Sequence, residues 1–96
     1  MAFSQINREI LSNLKGRISK LLSGTRKVTM EEKITSEKLL STIDEIFLWD
    51  KSVPSAKCDR YRNALSYYKG ELEKSDKKYI KNHILPMLSK VLGQKW

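Results

Sequence analysis

The chain is poor in the residues that make cross-links or ligate metals. It has one cysteine, Cys58, and one histidine, His83. A single thiol excludes an internal disulfide framework and a cysteine-based zinc site, and a single imidazole excludes two-histidine metal motifs. Proline (2) and glycine (4) are too scarce for a fold built from many turns. No apolar run approaches the roughly 20 residues of a membrane span. The longest, Ile84-Leu85-Pro86-Met87-Leu88, is interrupted by a proline. The start, Met1-Ala2-Phe3-Ser4-Gln5, lacks the basic-then-apolar pattern of a secretory signal, so a cytoplasmic location is expected. Phosphate-loop, dinucleotide and H-E-x-x-H motifs are absent, as is any internal repeat of 20–50 residues.

What is present points to helices. The 96 residues suit one domain, 1–96, with a limited core. Leucine and isoleucine together number 20. In the first segment Phe3, Ile6, Ile10, Leu11, Leu14, Ile18, Leu21 and Leu22 recur by threes and fours, which predicts a helix over 4–23. Ser4 is its expected N-cap and Gly24 its C-terminal cap. The basic and apolar faces of this segment also suit an interfacial membrane helix. Bundle core is the favoured use of its stripe, because the other stripes need a partner. Thr29 and Glu32 have capping-box spacing, but Met30 and Ile34 lie nearly opposite the stripe Leu39, Leu40, Ile43, Ile46 and Phe47. The spacing therefore predicts a loop over 25–34, with at most one turn, and a second helix over 36–49. A third helix, 56–69, carries Cys58, Tyr61, Leu65 and Tyr68, with Ser55 as its cap and Gly70 marking an end or a weak point. A fourth, 76–92, carries Tyr79, Ile80, Ile84, Met87, Leu88 and Val91. Gly93 ends it, and a kink or break is expected near Pro86. The fold class is all-α, an antiparallel four-helix bundle. Its predicted core holds Ile10, Leu14, Ile18, Leu21, Leu39, Ile43, Ile46, Leu65, Ile84, Leu88 and Val91.

The net charge is +8 and unevenly spread. Residues 1–29 carry +5, 30–50 carry −4, 51–70 carry +4 and 71–96 carry +3. Cys58 reads as a small buried apolar residue, since nothing local orients His83 as its base. His83 reads as a boundary residue of the fourth stripe. Glu31, Glu32, Glu37, Asp44, Glu45 and Asp50 lie mostly off the apolar stripes, as solvated helix surface. No enzyme activity, cofactor, metal or small-molecule substrate is expected. Basic residues near aromatics are the main functional signal. Lys57, Arg60, Arg62, Tyr67 and Lys69 are candidate contacts to nucleic acid, but Asp59, Glu71 and Glu73 interrupt them. One reading is therefore a small basic protein that binds nucleic acid or inhibits a host nucleic-acid enzyme.

From Glu37 to Asn63 the chain resembles the immunity proteins against pediocin-like (class IIa) bacteriocins. Glu37-Lys38-Leu39-Leu40 leads a helix, Lys51-Ser52-Val53-Pro54 forms a junction, and Asp59-Arg60-Tyr61-Arg62-Asn63 sits on the next helix. The size, the basic charge and the tail ending in Trp96 are also similar. The resemblance implies a cytoplasmic four-helix protein that meets a bacteriocin-occupied membrane sugar permease, with association at the inner face of the membrane, and blocks the pore without chemistry. It places specificity in the C-terminal half. The partner-binding residues expected there are Lys77, Lys78, Lys81, Lys95 and Trp96. Trp96 either folds back onto the bundle or offers an aromatic anchor to a partner.

Overall fold

A computed structural model describes residues 5–24, 27–49 and 53–96, with side chains from Asn7 onward. Three long helices, α1 (Gln5–Ser23), α2 (Met30–Phe47) and α3 (Ser55–Leu72), are followed by a π-helical turn, Ile80–Ile84, that runs directly into α4 (Leu85–Gly93). The helices pack in a closed square, each against the next in sequence and α4 back against α1. Neighbours are antiparallel. Asn7 near the start of α1 donates to the Lys95 carbonyl (3.3 Å), and the Tyr79 hydroxyl donates to the Arg17 carbonyl (2.9 Å). The bundle measures 39 × 20 × 19 Å. The cap expected at Ser4, the stripe position Phe3 and the junction residues Lys51 and Ser52 lie outside the described residues, as does the side chain of Ile6.

All the predicted core residues but one are buried. Ile10 is the exception, half-buried at the margin, while its neighbour Leu11 takes the core position. Leu72, Ile80, Val53, Tyr61 and Trp96 are further buried members. Cys58 is buried as expected, with its thiol 3.4 Å from the Val53 carbonyl.

Three expectations need correction. The second helix starts at Met30, six residues before the predicted 36. Thr29 and Glu32 form a complete capping box, with Thr29 N–H donating to Glu32 Oε1 (2.8 Å) and Glu32 N–H to Thr29 Oγ1 (3.1 Å). Two satisfied amides at the helix start outweigh the out-of-phase Met30 and Ile34, which the helix leaves on its outer side, 68% and 43% exposed. The third helix runs to Leu72, straight through Gly70, because Leu72 closes its core stripe. Its N-cap is Pro54, whose carbonyl accepts from Lys57 and Cys58 (both 2.9 Å), and Ser55 is its first residue. Near Pro86 the expected disturbance of the fourth helix takes the form of a π turn, and the helix continues through it. The turn before the proline widens, and the Leu85 N–H bonds to the Ile80 carbonyl, five residues back. That extra width accommodates the proline ring, which in a regular helix clashes with the carbonyl of Asn82.

Candidate interaction surface

The square arrangement sorts the charge. Together α1 and residues 77–96 hold nine basic side chains (Arg8, Lys15, Arg17, Lys20, Lys77, Lys78, Lys81, Lys90 and Lys95) and one acid, Glu9. In α2 and α3 there are six basic and seven acidic side chains. Because α1 packs against α4, the excess of basic residues lies on two adjacent helices, with Arg8 and Lys15 turned toward Phe47 and Asp44 of α2. On the opposite side the acids of α2 offset the bases of α3.

The expected partner-binding residues fall into two groups on that basic side. Lys77, Lys78 and Lys81 lead into the π turn at one end, with Lys78 and Lys81 exposed. The Lys77 ammonium is 4.0 Å from Asp76. Lys95 and Trp96 sit at the far end, about 25 Å away along a helix of this length. Of the two placements open to Trp96, the structure has the folded-back one. The indole is 6% exposed, donates from Nε1 to the Val91 carbonyl (3.0 Å) and lies under the Arg62 guanidinium (5.9 Å to the ring centroid).

The candidate nucleic-acid residues on α3 do not form one patch. Arg62 turns inward to the end of α4, donating to the carbonyls of Leu92 (3.0 Å) and Gln94 (2.9 Å). It satisfies acceptors that the helix end leaves open, and its charge suits the negative pole there. Lys69 pairs with Glu73 at 3.3 Å. Arg60 is exposed and Lys57 half-buried. Tyr67, 64% exposed, stands edge-on to Tyr68 at 5.9 Å between ring centroids.

Two residues that the sequence reading left out of the site join the basic side. Arg17 Nη1 approaches His83 Nδ1 at 2.9 Å across the α1–α4 seam, and the Tyr79 ring lies 4.9 Å from the His83 ring. Their positions 66 residues apart give no local signal; only the closure of α4 onto α1 brings them together.

The carboxyls with a resolved shift lie off this surface. Burial alone raises the Glu32 carboxyl, but hydrogen bonds from Ser75 and Thr29, with the charge of Lys77, outweigh it and hold Glu32 below the usual range. The hydrogen bond and charge of Lys74, 3.1 Å away, lower half-buried Glu71. Among the described residues no group of three histidine, cysteine, aspartate or glutamate side chains is placed to hold a metal ion, and no helix is long and apolar enough to cross a membrane. Comparison with protein-family models, curated proteins and solved structures finds no match to this chain.

Proposed function

We propose that this chain is a non-enzymatic binding protein whose working surface is the basic α1/α4 side. The observation that carries the reading is the confinement of the net charge to two adjacent helices. Such a surface raises the local concentration of an anionic partner and speeds encounter with it. The resemblance to bacteriocin immunity proteins supports one partner, a bacteriocin-occupied permease complex met from the cytoplasmic side. In that reading Lys77, Lys78 and Lys81 make the approach and exposed Lys95 completes it at the far end, while folded-back Trp96 packs that end of the bundle. The second reading, nucleic acid or an enzyme that acts on it, is favoured by a separate observation. The large apolar side chains left exposed among the described residues (Met30, Ile34, Leu48, Trp49 and Tyr67) all lie on α2, just after it, or on α3. Among the described residues the basic side therefore exposes no large apolar side chain, which suits a surface that meets phosphates.

Affinity capture from bacterial membranes and lysate, followed by mass spectrometry, tests both. Permease subunits, lost when Lys78 and Lys81 are changed to glutamate, support immunity. Nucleic acid or its enzymes, released by salt, support the second reading. Capture that is unchanged by the two substitutions defeats the proposed surface.

A further inference from the structure

We propose that Ser12, Asn13, Arg17 and Lys20 of α1 form a subsite for a backbone phosphate of double-stranded nucleic acid, with His83 holding Arg17 in place. This rests on the reading that the α1/α4 side meets a polyanion.

These four residues and Gly16 line a shallow depression of about 340 Å³ on the outer side of α1. No carboxylate lines it. A hydroxyl, an amide, a guanidinium and an ammonium all offer hydrogen-bond donors, and a phosphate diester presents only acceptors. Glu9, the one acid of α1, stands one turn before Ser12 and Asn13 on the same face and does not line the hollow.

Gly16 has no packing role. A Cβ there meets nothing within 4 Å, and the residue is exposed in mid-helix, where glycine is a poor helix former. Its effect is to leave the hollow open between the donors.

Arg17 is held ready. A guanidinium has donors only, so Nδ1 of His83 accepts at 2.9 Å and Nε2 carries the imidazole hydrogen. The Tyr79 hydroxyl fixes the same turn of α1 through the Arg17 carbonyl. A guanidinium already positioned loses less freedom when it binds.

The face selects the kind of polyanion. Single strands are held by bases stacked on exposed aromatic rings, and the exposed rings among the described residues, Trp49 and Tyr67, lie away from α1 and α4. A membrane surface is gripped by apolar insertion as well as by charge, and among the described residues no large exposed apolar side chain stands on this side. A duplex backbone asks only for donors and positive charge spread along its length. The 39 Å bundle supplies these from Lys78 and Lys81 at one end to Lys90 and Lys95 at the other.

The test follows amide chemical shifts of the whole protein during titration with inorganic phosphate and with a short mixed-sequence DNA duplex. Vesicles of phosphatidylglycerol and phosphatidylcholine in equal parts form a third arm. Phosphate and duplex are expected to shift Ser12, Asn13, Gly16, Arg17, Lys20 and His83. The double variant Arg17→Gln, Lys20→Gln should weaken duplex binding about tenfold at about 50 mM salt and flatten the log affinity–log salt slope by about 2. Gly16→Gln fills the hollow without changing charge; it should weaken the duplex while melting is unchanged or higher. Unchanged affinity in either variant overturns the subsite. If Lys81→Gln, Lys90→Gln weakens binding while the Arg17/Lys20 variant does not, the subsite falls and the basic side stands. If the unsubstituted protein ignores duplex at low salt, the subsite falls with the nucleic-acid reading, and vesicle binding in that case assigns the surface to lipid.

Discussion

Glu32 and Ser36 occupy core positions of α2, in phase with Leu39, Ile43 and Ile46, yet both are polar. For Glu32 the burial is offset by Ser75, Thr29 and Lys77, which favour the ionised form. Its folded-state pKa is below its unfolded one, so its stabilisation is present at neutral pH and disappears as the pH falls through the carboxylate range and below. Glu32→Gln should therefore flatten the acid limb of a stability–pH curve from chemical denaturation. An unchanged acid limb would remove Glu32 as the cause. Ser36 differs, because its hydroxyl is buried with no hydrogen-bond partner among the described residues. Ser36→Ala removes the unsatisfied group and improves helix propensity, so stability should rise by about 1 kcal/mol. A loss in urea denaturation would show that the hydroxyl is satisfied after all. These two polar residues also mark the limit of what the sequence reveals. The apolar stripes of α1, α3 and α4 were legible by their spacing. The first two turns of α2 were not, since hydrophobic periodicity carries no signal where the core positions are polar.

Among the elements, α2 presents the sharpest contrast between its two sides. Met30 and Ile34 stand one turn apart facing outward, while Leu39 and Ile43 are fully buried. The double change Met30→Gln, Ile34→Gln should alter stability by no more than about 0.5 kcal/mol, whereas Ile43→Ala should cost about 2–5 kcal/mol. Thermal and urea melts of the two variants compare them directly. A large loss in the first would place Met30 and Ile34 in a core after all. The junction at Pro86 was only half legible. Proline predicts a disturbance, but whether the helix breaks or widens depends on tertiary packing. Here Ile80, Ile84, Leu88 and Val91 are all fully buried, so the helix keeps its core stripe and absorbs the proline in one wide turn. The inward reach of Arg62 was equally hidden, because its acceptors lie 30 and 32 residues away.

For the whole molecule, the pairing of α1 with α4 sets like charges side by side. Sequence segments showed where basic residues are plentiful, but their meeting on one side depends on how the square closes. The pair Lys15–Asp44 at 2.6 Å relieves only the α1–α2 edge, and it is exposed, worth little by itself. Raising ionic strength from about 0.01 to 0.15 M shortens the screening length from about 30 to 8 Å, so melting temperature should rise with salt. Lys81→Glu should raise it at low salt and reduce the salt dependence. A melting point that falls with salt would show attraction, and no net repulsion, across this seam.

The same closure has a kinetic side. The contact between Asn7 and Lys95 joins residues 88 positions apart, whereas α2 and α3 meet across a short connection. Local pairings form at less entropic cost than distant ones. Hairpins of consecutive helices are thus the natural early units of folding, and the α1–α4 seam is the last to close. There α4, which follows a wide turn, settles against a neighbour of like charge. Native-state hydrogen exchange should find the amides of α4 opening at lower free energy than those around Leu39 and Leu65. Equal protection throughout would show a bundle that opens only as one unit. On this ordering, the surface that would meet a partner is also the last to assemble.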